Sequence, residues 1–143
     1  MDPIIVNMRE EFMILAINKA WEGVKTGQEP FGSCVVRGDE VLNSSHNTIR
    51  RDNDPTAHAE MNAIRGASNK IGSPNLSGCE IYATFKPCNM CMEAIKRAGI
   101  KTVYYGAGPE DVEYPSTPLE LNVESGILRD QCRDLASVKY PPQ

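Results

Sequence analysis

The sequence contains no apolar run near the ~20 residues that a membrane-spanning helix needs. It has no excess of basic residues either. Fifteen Lys and Arg against nineteen Asp and Glu leave a net charge of −4, which argues against a strongly basic nucleic-acid face, although an acidic protein can still carry a local basic patch. The stretch "MDPIIVNMREEF" has no basic n-region and no small-residue cleavage site, so no signal peptide is expected. Cysteine is too sparse for a secreted disulfide framework: five in 143 residues is an odd number, and Cys34, Cys79 and Cys132 are scattered. A reducing, cytoplasmic setting is the expectation. Hydrophobic residues at 41% and charged residues at 24% are ordinary for a globular protein. The length suits one domain over 1–143.

Periodicity supplies the elements. Ile14, Ile17, Trp21 and Val24 recur at three- and four-residue steps, predicting a helix from Asn7 to about Thr26 with Trp21 in the core. "TGQEP" ends it. "FGSCVVRGDEVLNSSH" reads as a hairpin turning at Gly38-Asp39. "NTIRRDNDP" reads as a polar loop, and a helix is expected from Thr56 or Ala57 with Met61, Ile64 and Ala67 on its apolar side. "CEIYATF" and "IKTVYYG" are strands, joined by a helix from Pro87 to Ala98 that Gly99 stops. A helical crossover predicts that these two strands are parallel neighbours. A proline- and acid-rich loop follows, then a closing helix in "GILRDQCRDLASV".

Three short pieces carry the chemistry: "HN" at 46–47, "HAE" at 58–60 and "PCNMC" at 87–91. Cys88 and Cys91, three apart at a helix start, share one face, where the dipole and free N–H groups favour thiolate. With His58 they make three ligands, and Zn²⁺ prefers four in a tetrahedron. A water in the open fourth position is what a hydrolytic site needs, because the metal lowers its pKa to about 7. Glu60 is close enough in sequence to take that water's proton without binding the metal. The competing readings are a redox pair of cysteines and a structural zinc, the latter with a fourth ligand from His46, Cys34 or Cys79. Taken singly, Glu60 could serve the helix dipole, Asn47 a turn and Phe31 the core. Arg50 and Arg51 form a small basic spot that an exposed, solvated pair explains.

His58-Ala59-Glu60 with Pro87-Cys88-Asn89-Met90-Cys91 is the H-x-E…P-C-x-x-C arrangement of the zinc deaminases. On "DPTAHAEMNAIR" and "PCNMC" together, the chain resembles the cytidine-deaminase superfamily, in its nucleobase (guanine/cytosine) and tRNA-adenosine deaminase branch. The resemblance runs from about Pro30 to Gly106, with a weaker echo in "ESGILRDQC". It implies an α/β fold, a three-layer αβα sandwich with a five-stranded mixed sheet. It also implies one catalytic Zn²⁺ per chain, hydrolytic loss of ammonia from an amino-substituted ring, and a homodimer. Asn47, eleven residues before His58, is implied to hydrogen-bond the base. The Ala59 backbone is implied to touch the same base, and Phe31 to wall the pocket or stack on the ring.

The substrate is less legible. "EPFG" is similar to guanine deaminases, and "GSCVV" to cytosine deaminases. The tRNA enzymes carry a lysine- and glycine-containing loop after the strand matching Val103–Gly106, where this chain has the acidic "AGPEDVEYP", which would repel a phosphate backbone. A free nucleobase, guanine or cytosine, is therefore the leading expectation. The alternatives are a tRNA wobble adenosine, a small nucleoside or nucleotide, and a non-enzymatic protein with a structural zinc. Glu110, Asp111 and Glu113 are candidate acceptors at the pocket rim. Lys86 stands where relatives carry glutamate or serine, and has two readings: a strand-end residue snorkelling with its ammonium in water, or a cation that bonds that acidic segment and positions it.

Overall fold

Small side chains decide how the first helix, α1 (Pro3–Lys25), meets the rest of the chain. Phe12, Ala16 and Ala20 lie on its buried side, at four-residue spacing. A Cβ on Gly32, at the start of the first strand, would overlap the Ala16 carbonyl, so helix and strand backbones are nearly in contact there. Only small residues fit such an approach. The larger Ile14, Ile17, Trp21 and Val24 are left outside, and Trp21 is 62% exposed. This corrects the periodicity reading, which placed that stripe and Trp21 in the core: side-chain size, not hydrophobicity, selects the inward face.

The structure, a computed structural model, describes residues 3–114 and 120–139. They fall into two compact units, Met1–Glu113 and Tyr114–Gln143. In the first, the strands are β1 (Gly32–Arg37), β2 (Glu40–His46), β3 (Glu80–Phe85) and β4 (Thr102–Ala107). Their spatial order is β2-β1-β3-β4. β1 runs antiparallel to both β2 and β3, while β3 and β4 are parallel, as the helical crossover requires. A bulge between Val35 and Val36 bends the β1–β2 ladder. The sheet is mixed, as expected, but has four strands among the described residues rather than five. The chain leaving β4 carries Pro109, whose ring nitrogen cannot donate to a ladder, and its next hydrogen bonds close a local turn on Gly108.

The helices α2 (Ile49–Asp52), α3 (Ala59–Ile71) and α4 (Asn89–Arg97) complete this unit. Strand alternation builds the layers. Cys34, Val36 and Tyr82 pack with Phe12 and Ala16 of α1. Val35, Leu42 and Ile81 face the opposite way, onto Ala63 and Ala67 of α3 and Ile95 of α4. The result is an αβα sandwich. α2 falls in the stretch read as a polar loop. α3 begins at Ala59, later than expected, because the Asp54 carboxylate binds both the backbone N–H and the hydroxyl of Thr56, at 2.8 and 2.7 Å, and holds a turn there. In the second unit, α5 (Arg129–Ala136) occupies the expected closing helix.

Candidate metal centre and active site

His58 and Cys88 hold equivalent places, each at the N-cap of a helix with extended backbone angles and without a side-chain capping bond. Both side chains are therefore free to serve something else. The His58 Nδ1 lies 3.6 Å from the Cys88 Sγ and 3.5 Å from the Cys91 Sγ. All three donor atoms lie within 4.8 Å of one another. Zinc bonds of ordinary length to N and S at a tetrahedral angle place those atoms about 3.6 Å apart, so the donor set fits a single Zn²⁺. Burial and the neighbouring Glu60 and Cys88 all push the Cys91 thiol upward in pKa. A dication reverses that balance.

The other proposed donors stand apart from this cluster among the described residues. Cys34 lies in β1, where burial pushes its thiol up to about 12. Cys79 is buried in the core on the α3 side, with its pKa also raised by burial. The His46 Nδ1 lies 2.8 Å from the Asn47 carbonyl, so that nitrogen carries the proton and is not a ligand. A tetrahedral zinc bound by these three donors alone would keep a fourth position.

Glu60, in the first turn of α3, is only 6% exposed. Burial raises its carboxyl pKa, opposed by a hydrogen bond with Cys91 and the charge of His58. Ala59 is fully buried. Asn47 is buried just beyond the end of β2, with its amide orientation set by two partners. Its Oδ1 accepts from the Ile49 N–H at 3.0 Å, and its Nδ2 points to the Glu29 carboxylate at 3.4 Å. The Asn47 N–H bonds the Phe31 carbonyl, and the Thr48 N–H bonds the carbonyl of Ala57, the residue before His58. The Phe31 ring is half-buried and tilted against Phe85 at 5.9 Å. Arg51 pairs with Asp52 at 2.9 Å, and Arg50 reaches the Gly27 carbonyl, so the basic spot is tied to its own surface. Lys86 makes no ion pair with Glu110–Glu113 among the described residues, which favours the strand-end reading over the bonded one. Its backbone N–H bonds the Ala107 carbonyl, and Asp111 instead accepts from the Gly108 N–H.

The family model described as "Cytidine and deoxycytidylate deaminase zinc-binding region" matches residues 6–107, which takes in all of these residues up to the end of β4. The chain belongs to this family. It is 36% identical over 99 residues to the tRNA-specific adenosine deaminase of Aquifex aeolicus, covering 69% of this chain and 66% of the relative. It is 40% identical over 103 residues to the guanine deaminase of Bacillus subtilis, covering 71% and 66%. The match thus spans slightly under two thirds of each curated relative's length. The crystal structure of the Bacillus subtilis guanine deaminase superimposes with a TM-score of 0.77 at 29% identity, covering 94% of this chain and 97% of that one.

Several supports of this deaminase-family site escape sequence reasoning. Gln28 accepts the N–H groups of Arg50 and Arg51 and so caps α2. Glu29 meets Asn47 across eighteen positions of sequence. Asn62 binds the loop around Asn47. Only the packing of the fold brings these partners together. The signal available was polar residues flanking a recognised motif.

Proposed function

We propose that the chain is a zinc-dependent hydrolytic deaminase that exchanges a ring amino group for a keto oxygen and releases ammonia. The observation that carries this reading is the His58, Cys88 and Cys91 cluster with a buried carboxylate, Glu60, against it. A zinc ion held there supplies Lewis acidity and makes a coordinated water acidic near neutral pH. Glu60 would take a proton from the attacking water and deliver it to a ring nitrogen. It would then take the proton of the hydroxyl now on the ring carbon and deliver it to the amine, whose C–N bond breaks as the keto C=O forms and ammonia leaves. The Asn47 amide, with its oxygen occupied by Ile49, offers an N–H to a ring acceptor. Ala59, at the first position of α3, offers a backbone N–H that has no partner within the helix.

The favoured substrate is a free nucleobase, guanine or cytosine. Phe85 pairs with Ala107 at the carboxyl ends of β3 and β4. The chain leaving β3 enters Cys88 within three residues, and the chain leaving β4 becomes the exposed segment bearing Glu110, Asp111 and Glu113. Acid therefore follows the strand beside the metal helix, where a phosphate backbone would be repelled. The similarity to a guanine deaminase agrees with this reading. The similarity to a tRNA-specific adenosine deaminase supports the second reading, a wobble adenosine, equally in sequence. An ammonia-release screen of the zinc-loaded protein on guanine, cytosine, their nucleosides and an anticodon stem-loop separates them. Release from a free base is expected, and release from the stem-loop alone overturns the favoured substrate.

A further inference from the structure

Asn62 lies one helical turn beyond His58, and its backbone N–H bonds the His58 carbonyl. Its side chain leaves the helix and reaches three separate acceptors. The Nδ2 lies 3.0 Å from the His46 carbonyl, 2.8 Å from the Thr48 hydroxyl and 3.4 Å from the Ala57 carbonyl. The Arg65 guanidinium approaches the amide oxygen at 3.5 Å, which fixes nitrogen as the inward atom. The Thr48 hydroxyl donates to Asp52 at 2.7 Å, so it is an acceptor toward Asn62. One amide thus grips the residues immediately before and after Asn47, together with the residue immediately before His58. Apart from the bonds of Asn62, the Thr48 N–H to Ala57 carbonyl bond is the only hydrogen bond that joins these two segments among the described residues.

We propose that Asn62 is a positioning residue that sets Asn47 against the His58–Glu60 turn, and with it the substrate ring against the reacting groups. The inference rests on the deaminase reading for the role of Asn47. Asn62 touches neither substrate nor metal in this account, and acts through the two segments it joins.

The test compares the zinc-loaded full chain as wild type, Asn62→Ala, Asn47→Ala and the double variant. The isosteric Asn62→Asp, which turns the donor into an acceptor, stands in should the alanine variant fail to fold. Amide hydrogen exchange is read first. Asn62→Ala should speed exchange at Asn47 and Thr48, while Val35 and Ile81 in the sheet keep their protection. Equal acceleration throughout, or none at Asn47 and Thr48, overturns the proposal. Deamination of guanine, cytosine and an anticodon stem-loop is read second. Asn62→Ala should lower kcat/KM roughly tenfold or more, as small misplacements do, with zinc retained, and should cost little more when Asn47 is already alanine. A full multiplicative loss in the Asn47→Ala background overturns it. Should the wild type release ammonia from none of the three probes, the deaminase reading fails, and hydrogen exchange still decides whether Asn62 holds Asn47 in place.

Discussion

At the scale of single residues, two kinds of side chain converge at the centre: groups with chemistry of their own and groups that hold them. His58, Cys88 and Cys91 are the former, and their mutual distances of 3.5 and 3.6 Å from the imidazole nitrogen suit one ion. Glu60 is paired with them but lies outside the ligand cluster. A group that moves protons without binding metal can be removed without losing the metal. Glu60→Ala should therefore keep about one zinc per chain while kcat falls by ~10²–10⁴, the usual worth of general acid–base catalysis. Zinc analysis beside ammonia release checks this. Loss of zinc together with activity would instead make Glu60 a ligand or a structural support. The clustered His58, Cys88 and Cys91 and the neighbouring Glu60 could be picked out of the sequence because they fall in two short motifs, each locally spaced, at i, i+2 and i, i+3. Glu29, Gln28 and Asn62 could not, because their partners around Asn47 and at the start of α2 lie fourteen to twenty-three positions away and only the folded sheet and helices bring them together.

At the scale of elements, the order of helices and strands and the parallel β3–β4 pair follow from turn residues and crossover logic. The inward face of α1 does not. Its apolar residues cover more than one face, so hydrophobic spacing alone leaves its rotation open. Contact with Gly32 settles it in favour of the small Ala16 and Ala20. Phe12 then becomes the large core residue of this helix, 7% exposed, with its ring 5.5 Å from that of Tyr82. Denaturant unfolding should rank two substitutions accordingly. Phe12→Ala should cost ~3–5 kcal/mol, and Trp21→Ser ~0.5 kcal/mol or less in the isolated chain. The reverse ranking would restore the rotation that periodicity suggested. Among the described residues the sheet has four strands, because proline and acid after β4 oppose another ladder, a local fact that an expectation taken from resemblance passes over.

At the scale of the whole molecule, the metal joins parts of the chain that are distant in sequence. His58 stands at the start of α3 and Cys88 at the start of α4, thirty residues on. A ligand that binds only the folded state stabilises it by about 2.7 kcal/mol at a hundredfold excess over its Kd. Chelation should accordingly lower the melting temperature of the purified protein, and added zinc should restore it, more than magnesium, which prefers oxygen donors. An unchanged melting temperature after complete zinc removal would mean that the two helix starts are held by other contacts.

The central claim is a zinc held by two thiolates and one imidazole, with one position left for solvent. X-ray absorption at the zinc edge of the purified protein reads that shell directly. Two sulfur ligands at ~2.3 Å and two nitrogen or oxygen ligands at ~2.0 Å are expected. A shell of three or four sulfurs, or protein without stoichiometric zinc, would contradict it.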